Sequence, residues 1–394
     1  MYDLIIRNAR VYPMDGSAAR ADYDSIAVRD GRIAALGVAD DEPAIETVDA
    51  GGRVLMPGLI DCHTHVLYAG HRMDEHARKL EGASYEEIAR SGGGILSTVK
   101  AVREADEDCL VRQSLPRVRA LQAEGVTLME AKSGYGLDTK NELKMLRAIR
   151  HLDREAAIRI SPTFLGAHSI PKDQGREAYM DELVNTTLPA VIKEELADTC
   201  DIYVEKIAFT VDDMERLFTA AKAGGLRLRA HTDQLSNMAA TRRAAELGAL
   251  SCDHLEYTDD EDIKAMAKNG TAAVLLPGAF YFLKETKLPP IQGFREAGIP
   301  MAVSTDINPG SSPVVSLQAA MHMAAIFFGM TAEEILLGVT THAAKAMGEQ
   351  EQHGSIALNK QADLTLWDIP APEFLVYQLG GVKPDQVFIG GQPA

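Results

Sequence analysis

Between residues 54 and about 350 the chain repeats one alternation eight times, and this limits its fold more than any other feature. Short apolar, β-rich runs recur as VLMPGLIDCHTHV, GVTLMEAKS, IRISPTFLGAHS, CDIYVEKIAF, LRLRAHTDQ, SCDHLEY, TAAVLLPG and MAVSTDIN. Between them lie segments of helical spacing, among them NELKMLRAIRHLDR, MERLFTAAKAGG, AATRRAAELGA and DIKAMAKNG. Several of these end at glycine, which favours helix termination. Strand then helix, eight times over, predicts an α/β fold: a (β/α)8 TIM-like barrel with its chemistry at the C-terminal ends of the strands. The flanks read differently. YDLIIRNARVY and SIAVRDGRIAALG are short strands, with Asp30-Gly31 as a hairpin turn, and GSIALNKQADLTLWDI and DQVFIGG resume that style near the C-terminus. The expected division is a barrel over 56–350, with 1–55 and 351–394 as the two parts of a small β-sandwich domain. The long connection 67–124 carries RSGGGILSTV, in which Gly92 to Gly94 serve either a lid or a plain turn.

Composition narrows the partners. No run approaches roughly 18 uninterrupted apolar residues and MYDLIIRNAR lacks a basic flank, so neither a membrane span nor a secretion signal is expected. A formal net charge of −17 repels phosphate backbones and anionic lipids, which excludes nucleic acid and membrane as expected partners. An anionic substrate would need a local cation. Cys62, Cys109, Cys200 and Cys252 are too scattered for a disulfide framework or a zinc knuckle, which suits a reducing, cytoplasmic setting. A homodimer is expected only from the commonness of two-fold symmetry.

Side chains alternate along a strand, so Asp61, His63 and His65 share one face at the end of the first barrel strand. His231 closes the fifth strand, His254 lies in the sixth, and Asp306 ends the eighth behind the small residues Ala302 and Ser304. Strand ends one, one, five and eight thus carry three histidines and a carboxylate. That set suits one divalent ion, Zn2+ or Fe2+, with a position left for water. Such an ion lowers the pKa of water to about 7, so the residues point to a metal-dependent hydrolase. Arg227 and Arg229 share parity with His231: either the barrel interior is polar there or the strand bends.

PGLIDCHTH, with His231, His254 and Asp306 at those strand ends, resembles the amidohydrolase superfamily. AGHR, GASYEEIARSGGGILSTV, KSGYGLD, GAHSIP, HTDQLS, DHLEY, LLPGAF and TDINPGSSP narrow the resemblance to the imidazolonepropionase family, nearly end to end. The resemblance implies hydrolysis of the cyclic amide of 4-imidazolone-5-propanoate to N-formimino-L-glutamate in histidine degradation. It implies that His63, His65, His231 and Asp306 bind the metal, that His254 lies beside the reacting carbonyl, and that Arg72, Tyr85, Tyr135, His168, Asn308 and Gly310 surround the substrate. Arg72 is the natural anchor for a propionate, because its planar fork pairs with a carboxylate through two hydrogen bonds. Two positions depart from relatives. Gln234 stands where many metal-dependent deaminases place a proton-carrying glutamate, and an amide can orient water or substrate but cannot take a proton. Glu205 and Lys206 stand where two-metal relatives use a carboxylated lysine; the expectation is Glu205 toward the site, as a substrate or supporting contact, and Lys206 outward. Asp306 is then the expected proton carrier. The rival readings are a deaminase of a ring amidine, separable by ammonia release, and an inactive scaffold barrel, which retention of the metal donors disfavours.

Overall fold

A computed structural model describes residues 1–82, 87 and 93–394. The eightfold alternation becomes eight parallel strands in consecutive order. They are β1 (Leu59–Asp61), β2 (Val126–Lys132), β3 (Arg159–Ala167), β4 (Thr199–Val204), β5 (Arg227–Thr232), β6 (Ser251–His254), β7 (Ala272–Leu275) and β8 (Met301–Val303). The ring is closed beyond the strands themselves. The Asp306 N–H donates to the His63 carbonyl at 3.1 Å and the His65 N–H donates to the Ile307 carbonyl at 2.9 Å. Asp61 secures the seam by accepting from the Thr305 N–H at 3.1 Å, the Thr305 hydroxyl at 2.7 Å and the Ser304 hydroxyl.

The intervening helices include Thr139–Glu155, Val211–Ala223, Ala240–Leu247 and Asp260–Asn269. Thr210 and Asp259 cap two of them reciprocally with Asp213 and Asp262, satisfying otherwise orphaned N–H groups. Gly248 and Gly270 end two with φ of +87° and +74°, a conformation that costs a residue bearing a Cβ roughly 1–2 kcal/mol. Apolar side chains of strands and helices, such as Val126, Leu146, Ile149, Phe164 and Leu217, merge into the main core. No helix among the described residues is long and apolar enough to cross a membrane.

The chain ends form two further sheets. One orders Arg32–Leu36, Ile26–Arg29, Tyr2–Arg7 and Ala44–Asp49, with Asp30-Gly31 turning its hairpin at φ of +52° and +73°. The other mixes both ends of the chain: Leu364–Trp367 pairs antiparallel with Val54–Pro57 and with Gln386–Ile389. A separate apolar cluster that includes Leu4, Ile6, Val28, Leu55, Leu364 and Phe388 fills these sheets. The run beginning at Val54, expected as one strand, therefore divides at Gly58 between two sheets. The division has a steric cause: a Cβ on Gly58 would stand 2.1 Å from Thr127 Oγ1, so only glycine lets the main chain cross there. Gly58→Ala is expected to destabilise the protein by about 1–3 kcal/mol. Gly175→Ala, where nothing lies within 4 Å of the added carbon and only the N-cap preference for glycine is lost, is the control with a smaller loss.

Candidate active site

Beyond β1 the chain runs beside the segment that follows β8, which gathers His63, His65 and Asp306 at the C-terminal rim, where His231 joins them from β5. The three buried imidazoles each offer a nitrogen within 4.8 Å of the others. His65 Nε2 lies 3.4 Å from His231 Nε2, and Asp306 Oδ1 lies 3.6 Å from His63 Nε2 and 3.5 Å from His65 Nε2. Donors about 2.0–2.2 Å from a tetrahedral ion stand roughly 3.3–3.6 Å from one another, which these spacings match. His63 Nε2 is buried without a hydrogen-bond partner among the described residues, a costly state unless its lone pair is otherwise engaged. Burial, followed by repulsion from neighbouring imidazoles and Lys132, keeps His63 and His65 well below the ordinary histidine range and hence neutral. Burial also pushes the Asp306 carboxyl well above the carboxylate range, so an anion at that point calls for a cation beside it. The donor set fits a divalent metal ion.

Carboxylates orient two of these rings from beneath. His63 Nδ1 donates to Asp253 Oδ2 at 2.6 Å and His231 Nδ1 donates to Asp201 Oδ1 at 3.1 Å, which leaves both Nε2 lone pairs facing the rim. The two aspartates belong to one buried chain of charge. Lys132 reaches Asp201 at 2.7 Å and Glu130 at 2.8 Å; Arg229 reaches Glu130 at 2.7 Å and Asp253 at 3.1 Å. These contacts join β2 to β4 and β5, which are not its neighbours in the sheet, so they cross the barrel interior. All five side chains are at most 1% exposed. The interior is therefore polar where such barrels normally hold apolar layers, and this accounts for Arg229. Arg227, on the same face but lower, pairs with Glu349 at 2.7 Å and is about a third exposed. Asp201→Asn and Asp253→Asn are each expected to weaken divalent-metal retention about 10–100-fold, read by competition with a chromogenic chelator.

A cavity of about 440 Å³ opens above this layer. His65, His231, His254 and Asp306 line it together with Arg72, Tyr135, His168, Gln234, Asn308 and Gly310. His63 lies behind them, and Tyr85 and Gly92 lie outside the described residues. Arg72 Nε donates to Glu75 at 2.9 Å, and a Cβ on Gly310 would stand 2.0 Å from Arg72 Nη1, so the arginine needs glycine at that position. Asn308 shapes the turn after β8: its Oδ1 accepts from the Gly310 and Ser311 N–H groups at 2.8 and 2.7 Å, and its Nδ2 donates to the Asp306 carbonyl at 2.7 Å. His168 Nδ1 lies 3.1 Å from the Gly134 carbonyl oxygen, while burial and His231 lower its pKa to about 3. It is neutral with Nε2 free to accept. His254 Nδ1 has no partner among the described residues, and His254, Leu255 and Asp306 hold φ of +82°, +75° and +52°. Such backbone strain in residues with a Cβ concentrates at functional sites.

Of the two roles expected for Glu205, its contacts are those of a supporting residue. Its carboxylate accepts from the Leu235 and Ser236 N–H groups at 2.8 and 3.0 Å and from the Ser236 hydroxyl at 2.7 Å, and it does not line the cavity. The loop after β5 offers backbone donors that a buried carboxylate satisfies, so Glu205 braces the Gln234 loop. Lys206 is exposed. Lys79, Tyr203 and Glu285 also line the cavity, and sequence reasoning had not singled them out. For the buried charges a signal did exist: Glu130 and Lys132, Asp201 and Tyr203, and Arg229 and His231 are polar at every second position of their strands.

Residues 54–394 match the model of the amidohydrolase family. An imidazolonepropionase from Mesorhizobium japonicum is 51% identical over 95% of this chain and 94% of its own length. Those from Brucella abortus and Shewanella baltica are 48% and 50% identical, over 95% and 90% of this chain and 95% and 89% of theirs. Among solved structures, a zinc-bound adenosine deaminase from Xanthomonas campestris aligns with a TM-score of 0.75 at 18% identity, over 100% of this chain and 92% of its own. A triazine hydrolase aligns at 0.78 and 17%, over 100% and 94%. At those identities they share the fold alone. The chain belongs to the amidohydrolase family and, within it, to the imidazolonepropionase family of hydrolases.

Proposed function

We propose that the protein hydrolyses the ring amide of 4-imidazolone-5-propanoate to N-formimino-L-glutamate, a step of histidine degradation. The observation that carries this reading is a set of three buried imidazoles and one carboxylate at a cavity that also presents a guanidinium. The names of relatives about half identical over nine tenths or more of the chain supply the substrate. His63, His65, His231 and Asp306 would hold one divalent ion, and zinc and ferrous iron both suit three nitrogens and an oxygen. Bound there, the ion acidifies water and polarises a carbonyl oxygen.

The remaining roles fall to the chain's own groups. Arg72 Nε is engaged by Glu75, so the propionate pairs with the outer edge of the guanidinium through its two Nη atoms. His168 Nε2 accepts a ring N–H, and Gln234 orients the substrate or the attacking water. Asp306 takes a proton from that water as its oxygen bonds to the ring carbonyl carbon. His254 donates to the developing oxyanion. The C–N bond then breaks, the proton held by Asp306 passes to the leaving nitrogen, and the water oxygen stays in the new carboxylate.

The test is spectrophotometric: imidazolone propionate generated from urocanate by urocanase, purified protein added, and imidazolone absorbance followed with and without a chelator. Fast, chelator-sensitive loss yielding formiminoglutamate is expected, and release of ammonia from the ring would instead indicate a deaminase. Asp306→Asn should abolish turnover, and full activity in that variant would remove its proton-carrying role. Arg72→Ala should act mainly on KM, raising it at least tenfold.

A further inference from the structure

The cation assigned to the substrate carboxylate carries little net charge. Arg72 precedes the helix Met73–Leu80 and is tied through Nε to Glu75 in its first turn. Glu75 also accepts from the Gly94 N–H at 3.1 Å and the Ser97 hydroxyl at 2.9 Å. Burial pushes its carboxyl up, but hydrogen bonds from Arg72 and Ser97 more than offset this and keep it ionised. Arg72 and Glu75 together are neutral. Among the described residues, the other charged groups lining the cavity are Asp306, which belongs to the proposed metal site, Glu285 and Lys79. In a chain of net charge −17, a neutral pair facing Glu285 would repel a carboxylate.

Lys79 offsets Glu285. It lies one turn beyond Glu75 on the same helix, is half-buried, and lines both the main cavity and a recess shared with Arg72, Glu75 and Gly310. It forms no ion pair or hydrogen bond among the described residues. We propose that Lys79 is a specificity-determining residue, supplying the positive charge that offsets Glu285 and so admits a carboxylate-bearing substrate to the cavity, while Arg72 fixes its direction. This rests on the functional reading above, in which the substrate is a carboxylate.

The test compares Lys79→Gln, Lys79→Arg and Arg72→Ala with the unaltered enzyme on imidazolone propionate and on its neutral propionate methyl ester. Lys79→Gln should raise KM for the acid roughly tenfold, change kcat by no more than about twofold, and make kcat/KM rise with added salt as the repulsion from Glu285 is screened. KM for the ester should stay within about twofold, and Lys79→Arg should restore the acid. If Arg72→Ala raises KM but Lys79→Gln alters neither KM nor the salt dependence, the role of Lys79 is overturned while the substrate reading stands. If Arg72→Ala also leaves KM unchanged, the carboxylate reading falls and the inference with it. An equal loss on acid and ester in Lys79→Gln would mark a structural effect and likewise overturn the proposal.

Discussion

Lys132 and Arg229 lie inside the barrel where neither reaches water, and each is held by two carboxylates. Removing one partner of such a pair strands a buried charge at a cost of about 3–5 kcal/mol, so no member of the chain can be altered alone without penalty. Glu130 is the shared link: through Lys132 it is connected to Asp201 and His231, and through Arg229 to Asp253 and His63. Two imidazoles on strands 168 residues apart in sequence are thereby given matched tautomers by one continuous set of ion pairs. An apolar interior would pack at less cost but would leave the rings free to rotate and their Nδ1 protons unpaired.

Much of this was legible in the sequence. The fold followed from strand and helix periods alternating eight times, and the candidate donors from histidines and an acid near strand ends, although β1 stops at Asp61 and β8 at Val303, so strand parity does not itself place His63, His65 or Asp306. Asp306 and His254 were found this way although nothing in their spacing announces the positive φ they adopt. The buried charges were harder to read, because a strand's parity says which residues share a face but not which face is enclosed. Arg229 remained open for that reason, and Asp201 and Asp253 passed unnoticed beside more conspicuous neighbours. The choice between the two roles expected for Glu205 was open for a related reason: the nearby backbone N–H groups of Leu235 and Ser236, which hold its carboxylate, are invisible to pattern reasoning.

Loops contribute by how they are tied. The turn after β8 is built around Asn308, whose amide bonds to backbone on both sides, and it brings Gly310 close enough to Arg72 that no side chain fits between. The loop after β5 is braced by Glu205, which keeps Gln234 at the cavity wall. Binding groups are thus placed by neighbours on adjacent connections as well as by the strands that carry them.

The division of one strand at Gly58 has a consequence for how the protein comes into being. The segment just before the HTH ligands, Val54–Pro57, finds its antiparallel partner in Leu364–Trp367, near the other end of the chain. Until residues 364–367 are synthesised, the candidate donors His63 and His65 follow a strand whose antiparallel partner has not yet been made. A polypeptide truncated before Leu364 would therefore lack the pairing that supports the approach to His63 and His65, so the two ends of the barrel domain's sequence mature together.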